Sequence, residues 1–274
     1  MNIPFYKMHG IGNDFVIIDN CAKNISFTER RISALCDRRY GIGCDQLVVL
    51  SAARDESADI YVQFFNPDGS ESGACGNASR CVAALLHEKL DKKNILLQTN
   101  AALLSTEIID NKTVSVDMGV PGLKWQEVPL SQDVDTLHLP ISGDPVAASM
   151  GNPHVTFFVD DLSTVDPVFC GQVLENDPLF PEKANIGFVQ MLDRQSMRLR
   201  VWERGAGLTL ACGSGACASV VNAVRRGLAD RECLVKMDGG SLTIYWREKD
   251  DHVIMTGPAV LSFSGNFNQD TYPL

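Results

Sequence analysis

The sequence predicts an α+β fold that is built from two similar domains. An Ala-Cys-Gly motif occurs at Ala74–Gly76 and again at Ala211–Gly213, each time before an apolar, helix-like segment. The offset between the two cysteines, 212 − 75 = 137, is half of the 274 residues. Solenoid repeats have periods of about 20–50 residues, so this period indicates duplicated domains instead. Each half also combines many short strand-like runs with one dominant helix, which is typical of α+β folds.

Runs of β-branched and aromatic residues between turn residues predict the strands. In the first half they lie at 15–19, 47–50, 60–65 and 95–99, followed by a hairpin of 103–109 and 113–118. In the second half they lie at 155–159, 186–191, 197–202 and 242–246. The dominant helices are predicted over Val82–Leu90 and Ala218–Leu228. Because the first helix is apolar almost all round, we expect it to lie inside its sheet.

The composition excludes several functional classes. Lysine and arginine number 24 and aspartate and glutamate number 34, so the net charge is −10. Such an acidic chain lacks the basic surface that nucleic-acid binding requires. The apolar runs are too short to span a bilayer, and the first residues lack the pattern of a secretory signal. We therefore expect a cytoplasmic protein without nucleic-acid or membrane partners.

The chain has nine cysteines, an odd number that argues against a disulfide framework in a reducing compartment. The spacings of Cys75 with Cys81 and of Cys212 with Cys217 do not match structural zinc sites, so we expect no metal ion. Most cysteines are predicted to be small buried hydrophobic residues, as free cysteines commonly are. These are Cys21, Cys36, Cys170 and Cys233, with Cys81 and Cys217 on helix faces.

Cys75 and Cys212 stand out because each directly precedes a predicted helix. The first N–H groups of a helix lack intrahelical partners and carry partial positive charge, which stabilises a thiolate and can hold a carboxylate. If both helix starts face one cleft, a small acid would meet one sulfur on each face. One thiolate could then remove an α-proton while the other thiol returns one, which inverts the stereocentre. The chain shows no pyridoxal-phosphate motif, so this chemistry is expected to need no cofactor.

The sequence closely resembles the diaminopimelate epimerase family along almost its whole length. The resemblance rests on Lys7–Phe15, Gly43–Gln46, Phe65–Glu71, Ala74–Asn77, Met150–His154, Ala184–Phe188, and Glu203–Gly207 running into Ala211–Gly215. It implies two pseudo-twofold-related domains, each a mostly antiparallel, β-barrel-like sheet around a central helix. The implied halves are residues 1–119, to which a tail of 263–274 returns, and residues 120–262.

The resemblance also implies the activity and the site residues. The family enzyme is a cofactor-independent isomerase that interconverts LL- and meso-diaminopimelate, a precursor of lysine and peptidoglycan, and a homodimer is implied. Cys75 and Cys212 would be the acid/base pair. The carboxylate at the reacting carbon would be held by Gly76, Asn77, Gly213 and Ser214. Further substrate contacts would come from Asn13, Gln46, Asn66, Asn152, Asn185, Glu203 and Arg204. His154 and Glu203 would tune the cysteines.

Three alternatives remain open from the sequence. Proline racemase-like enzymes also use opposed cysteines, and phenazine-biosynthesis isomerases share the architecture without that pair. A non-catalytic protein that uses its cysteines for redox switching or metal binding is the third. Taken singly, Asn13 and Asn66 could be turn residues, Glu203 and Arg204 a surface ion pair, and His154 a structural histidine.

Overall fold

The computed structural model describes residues 2–23 and 25–272, and the chain divides into two compact units. Unit 1 comprises residues 1–116 and 257–274, and unit 2 comprises residues 117–256. The halves implied by the family resemblance, 1–119 with 263–274 and 120–262, stay a prediction of domain limits. Residues 273 and 274 of that implied tail lie outside the described residues.

The two units repeat one succession of elements. The first series is β1 (Asn2–Gly10), β2 (Asn13–Asp19), α1 (Glu29–Cys36), β3 (Gln46–Ser51), β4 (Ile60–Phe65), β5 (Glu71–Ser72), α2 (Gly76–Leu90), β6 (Asn94–Gln98), β7 (Leu103–Ile108) and β8 (Thr113–Asp117). The second is β9 (Val146–Ser149), β10 (Pro153–Phe158), α3 (Pro167–Leu174), β11 (Asn185–Asp193), β12 (Ser196–Glu203), β13 (Gly207–Thr209), α4 (Gly213–Arg225), β14 (Glu232–Met237), β15 (Gly240–Trp246) and β16 (Val253–Pro258). The last strand is β17 (Val260–Asn268).

Strand pairing repeats as well. In unit 1, β1 pairs antiparallel with both β2 and β17. The other antiparallel pairs are β3 with β4, β4 with β5, β6 with β7, and β7 with β8. Parallel pairing joins β2 to β3, which are connected through α1, and β4 to β6, which are connected through α2. Unit 2 follows the same pattern, with parallel pairing of β10 to β11 and of β12 to β14. The predicted α+β class with a mostly antiparallel sheet in each half is confirmed.

One long helix lies at the centre of each unit. α2 contacts β1 and β2 at one end of the strand order and β6 and β7 towards the other, so the sheet wraps around it. α4 occupies the equivalent place among β9, β10, β14 and β15. The side chains of Val82, Ala83, Val220 and Val221 on these helices have no exposed surface. Burial on nearly all sides explains why the first of these helices is apolar almost all round.

The short helices α1 and α3 were not predicted, and their capping explains how they form. Helices of eight residues are marginal in isolation, and they offer only about two turns in which a periodic pattern can be recognised. Thr28 caps α1 by accepting a hydrogen bond from the backbone N–H of Arg31. Asp166 caps α3 by accepting from Val168 and Phe169, and Pro167 occupies the first helical position. Capping and packing against the sheet, and not intrinsic helix propensity, therefore stabilise these two helices.

The prediction that most cysteines are buried is confirmed in part. Cys36 and Cys233 are buried, and Cys81 and Cys217 are fully buried on α2 and α4 as expected. The prediction was wrong for Cys21, which is exposed because it lies in the turn that leaves β2. Cys170 is only half-buried, since α3 lies on the outside of its unit.

The cap of α3 provides a stability test. Replacing Asp166 with alanine should destabilise the protein by about 1 kcal/mol, because two backbone N–H groups at the start of α3 lose their acceptor. Asp166→Asn should retain most of the stability, since asparagine caps helices nearly as well. Urea unfolding midpoints of the three proteins would measure this. Equal losses in the two variants would contradict a capping role.

Candidate active site

Cys75 and Cys212 occupy the same structural position in their units. Cys75 is the N-cap residue of α2, with an extended backbone at φ −149° and ψ 104°. Cys212 is the N-cap residue of α4, with φ −127° and ψ 109°. In both helices the first intrahelical bond to the cysteine carbonyl comes from the residue four positions on, Ser79 or Ala216. The backbone N–H groups between therefore form a positively polarised helix start beside each sulfur.

In unit 1 the sulfur has an amide side chain as a hydrogen-bond partner. The Oδ1 atom of Asn13 lies 4.0 Å from the Sγ of Cys75 and accepts a hydrogen bond of 3.2 Å from the Nδ2 of Asn77. Asn13 begins β2 directly after a two-residue turn in which Ile11 and Gly12 have φ of 48° and 88°. Positive φ at both central positions gives the tight hairpin that brings Asn13 opposite Gly10.

Asp45 holds the other end of Asn13, and sequence analysis did not single it out. The Nδ2 of Asn13 donates to the carboxylate of Asp45 at 2.9 Å, and the backbone N–H of Asp14 donates to the same oxygen at 3.0 Å. Arg38 forms an ion pair with Asp45 at 2.6 Å. Asp45 lies within the quoted Gly43–Gln46 motif, but only the tertiary contact identifies it as the partner of Asn13.

Gln46 and Asn66 form a separate pair in unit 1. The Nε2 of Gln46 donates to the Oδ1 of Asn66 at 3.0 Å, and the Nδ2 of Asn66 donates to Ser70 at 3.1 Å. Gln46 begins β3, and Asn66 begins the turn that follows β4. Unit 1 thus collects its predicted site residues into two groups, one of Cys75, Asn77 and Asn13, and one of Gln46 and Asn66.

In unit 2 the partner of the sulfur is a carboxylate. The Sγ of Cys212 donates to the Oε2 of Glu203 at 3.0 Å, and the Oγ1 of Thr209 donates to the Oε1 at 2.5 Å. Burial of Cys212, followed by the negative charge of Glu203, raises the pKa of this thiol well above its usual range. Cys212 is therefore a neutral thiol around pH 7. Thr209 was missed by sequence analysis, because a threonine three residues before Cys212 carries no local signal.

His154 is buried and neutral in unit 2. Its Nε2 lies 3.0 Å from the Oδ1 of Asn152, which can only accept, so Nε2 carries the proton. Burial, and to a lesser extent the charge of Arg204, lowers the pKa of His154 to about 3. The Nδ2 of Asn152 in turn donates to the Oγ of Ser214 at 3.5 Å. His154 thus fixes Asn152 and, through it, the first turn of α4.

Asn185 and Arg204 are brought together by the backbone. The backbone N–H of Arg204 donates to the Oδ1 of Asn185 at 2.9 Å, and the Nδ2 of Asn185 donates to the carbonyl of Pro153, also at 2.9 Å. The guanidinium of Arg204 donates to the carbonyl of Glu182 at 2.8 Å. Asn185 therefore joins the start of β11 to the end of β12, where Glu203 lies.

The described residues also bear on metal binding and membrane insertion. Among the side chains of residues 2–23 and 25–272, no three histidine, cysteine, aspartate or glutamate residues are grouped so that they could hold a metal ion. No helix in that part of the chain is long and apolar enough to cross a membrane.

The fold is shared with solved structures of other activities. A phenazine biosynthesis protein from Bacillus anthracis matches with a TM-score of 0.69 at 18% identity, over 98% of this chain and 99% of that one. A hydroxyproline epimerase from Agrobacterium vitis matches with a TM-score of 0.69 at 14% identity, over 97% of this chain and 92% of that one. Likeness at this level of identity establishes the fold alone.

Sequence similarity is much closer to one family. A protein named diaminopimelate epimerase from Gluconobacter oxydans is 60% identical over 97% of this chain and 99% of its own length. One of the same name from Acidiphilium cryptum is 51% identical over 97% of this chain and 96% of its own length. The family model described as diaminopimelate epimerase matches residues 5–124 and 146–262, which include both cysteine-led helices. The chain belongs to the diaminopimelate epimerase family.

Proposed function

We propose that this protein is a diaminopimelate epimerase, which interconverts LL- and meso-2,6-diaminopimelate in the biosynthesis of lysine and peptidoglycan precursors. Family membership and the names of relatives at 60% and 51% identity support this activity. The structural observation that carries the proposal is the equivalent placement of Cys75 and Cys212 at the starts of two buried helices. This arrangement provides the two acid/base groups that inversion at a carbon requires.

The proposed chemistry uses one thiolate and one thiol. Cys75 as thiolate takes the α-proton, and the electron pair of the broken C–H bond passes into the substrate carboxylate. The S–H of Cys212 then donates a proton to the opposite face of the carbon, which leaves Cys75 as thiol and Cys212 as thiolate. This assignment for one direction follows from the raised pKa of Cys212, which keeps its proton on sulfur beside Glu203. The reverse reaction exchanges the roles.

The helix starts supply the charge stabilisation. An α-proton beside a carboxylate is very weakly acidic, so the developing negative charge must be met by donors that are already oriented. Backbone N–H groups of the first turns of α2 and α4 are such donors. We assign the reacting carboxylate to the residues that directly follow the cysteines, namely Gly76, Asn77, Gly213 and Ser214.

The remaining predicted residues would recognise the amino and carboxylate groups of the substrate. Glu203 would accept a hydrogen bond from an ammonium group, and Arg204 would bind the distal carboxylate through its planar guanidinium. The amide side chains present both donors and acceptors, which suits a substrate with two amino-acid ends. These are Asn13, Gln46, Asn66, Asn152 and Asn185.

The proposal includes a cytoplasmic homodimer that uses no cofactor. Free thiols persist in a reducing compartment, and the mechanism requires both cysteines to be reduced. A twofold dimer is the commonest assembly of soluble proteins. The half-exposed apolar side chains of Leu261 and Phe263 on β17 are consistent with a surface that a second copy covers.

Replacing either cysteine should abolish inversion. Cys75→Ala and Cys212→Ala should each lower kcat/KM by several orders of magnitude, because each removes one of two obligatory proton carriers. Wild-type protein in deuterated water should exchange the α-proton of LL-diaminopimelate and form the meso isomer, which proton NMR follows. Cys81→Ala and Cys217→Ala serve as matched controls for loss of a helix cysteine. Epimerisation at a normal rate by Cys75→Ala protein would refute the assignment.

Replacing His154 with glutamine should weaken the pH dependence of stability. Burial lowers the pKa of His154 to about 3 in the folded protein, whereas an unfolded histidine titrates near about 6.5. Below about pH 6.5 the unfolded state therefore binds more protons than the folded state, so the free energy of unfolding decreases as the pH is lowered. Between about pH 7.5 and 5.5 the wild type should lose about 1 kcal/mol more than His154→Gln, measured by urea unfolding. Equal losses would contradict a buried neutral histidine.

The assembly can be measured directly. Sedimentation velocity should give a mass of twice 29.9 kDa, and a charged residue in place of Phe263 should shift the protein towards the monomer. A monomer of 29.9 kDa at every concentration would rule out the homodimer.

A further inference from the structure

We propose that Arg80 is a positioning residue for Cys75, which acts by fixing the orientation of Asn77 and, through it, of Asn13. This inference rests on the proposed function, because it concerns the group that would move the proton in unit 1. Arg80 lies in the second turn of α2, and its side chain has no exposed surface. A charged side chain is rarely enclosed in this way unless its donors are engaged.

Donors of Arg80 reach acceptors on Asn77 and on the backbone of Pro258. Its Nη2 donates to the Oδ1 of Asn77 at 2.8 Å, and its Nε donates to the carbonyl of Pro258 at 3.2 Å. A guanidinium is planar and carries donors only, so these contacts fix its plane and leave Asn77 one choice of orientation. The oxygen of the Asn77 amide must face Arg80, and its nitrogen must face away.

That orientation is passed on to the residue beside the sulfur. The Nδ2 of Asn77 donates to the Oδ1 of Asn13, and the Nδ2 of Asn13 donates to the carboxylate of Asp45. Each donor in this chain points the same way, from the guanidinium to the carboxylate. If either amide reversed, two oxygens or two N–H groups would meet. These hydrogen bonds therefore hold the Oδ1 of Asn13 towards the Sγ of Cys75, 4.0 Å away. There it can accept a hydrogen bond from the S–H group that Cys75 carries once it has taken the α-proton.

Gly10 encloses the guanidinium from β1. A methyl group added at Gly10 would lie 2.8 Å from the Nη2 of Arg80, which is closer than real contacts allow, and 3.4 Å from the carbonyl of Asn77. The Gly10→Ala substitution would therefore displace the guanidinium without removing its charge. This offers a second way to break the chain of donors, independent of Arg80 itself.

The second unit supplies the contrast and a control. The position five residues after Cys212 is Cys217, so α4 has no arginine there. Further along α4, Arg225 donates to the Oδ1 of Asn222 at 3.2 Å, with the same spacing of three residues as Arg80 and Asn77. Asn222 then donates to the carbonyl of Val146 and to Thr156. Arg225→Met thus removes an equivalent arginine–asparagine hydrogen bond within α4. The asparagine of this pair contacts strands and not a cysteine.

The test combines kinetics with the reactivity of each thiol. Arg80→Met and Gly10→Ala should each lower kcat/KM for LL-diaminopimelate at least about tenfold, as small misplacements of reacting groups do. Arg80→Lys should restore part of this, and Arg225→Met should stay within about twofold of wild type. In a Cys212→Ala background, the rate of iodoacetamide alkylation at Cys75 should change at least about threefold in Gly10→Ala protein. In a Cys75→Ala background, the rate at Cys212 should not change. Tandem mass spectrometry would localise the label.

The outcomes separate this inference from the function and from general loss of structure. If folded Arg80→Met and Gly10→Ala proteins both keep wild-type kcat/KM, the inference is overturned. It is equally overturned if Cys75 and Cys212 change in reactivity together. Should Arg80→Met fail to fold, Gly10→Ala and Arg80→Lys decide the matter. Absence of epimerase activity in the wild type would refute the proposed function, while the alkylation measurements would still decide the role of Arg80.

Discussion

The structure depends on two central helices whose first turns are largely buried within their units. A helix start leaves several N–H groups without intrahelical partners, and burying such groups is costly unless something polar meets them. Most helices solve this with a serine, threonine, aspartate or asparagine cap, as Thr28 and Asp166 do for α1 and α3. Cysteine stands in that position in α2 and α4. Neither cysteine side chain forms a capping hydrogen bond, and the polar side chains of Asn13 and Glu203 contact the two sulfurs instead.

Duplication made the backbone repeat, while the side chains beside the sulfurs diverged. Cys75 faces the amide of Asn13, which belongs to a chain of donors that starts at the cation of Arg80. Cys212 faces the carboxylate of Glu203, which raises its pKa. Two-base chemistry needs one protonated and one ionised group, so two identical surroundings would serve it poorly. The difference between the units is therefore as important to the proposed mechanism as their likeness.

The sequence predicted the parts of the fold whose signal is local. Runs of β-branched and aromatic residues between turn residues located β4 at its observed limits, and located β2, β3 and β12 to within a few residues. The helix α2 begins at Gly76, six residues before the predicted Val82, because its first turn is built from Gly76, Asn77 and Ala78, small or polar residues without apolar periodicity. Asp45, Arg80 and Thr209 could not be predicted as partners, because their contacts depend on tertiary placement. Arg80 in particular reads as an ordinary helix residue until its complete burial is known.

The asparagines show why turn and site interpretations need not compete. Asn13 begins a strand after a tight turn, and Asn152 precedes β10 in an equivalent place, so each is local structure. Each also has its oxygen and nitrogen committed to different partners: Asn13 to Asn77 and Asp45, Asn152 to His154 and Ser214. An amide with both ends committed cannot reverse without breaking two hydrogen bonds, which makes it a directional connector. His154 must carry a proton on Nε2 for the second connector to hold its direction, because the Oδ1 of Asn152 can only accept a hydrogen bond. Burial keeps the pKa of His154 low, so this imidazole orients Asn152, and through it Ser214 at the start of α4, without adding a positive charge.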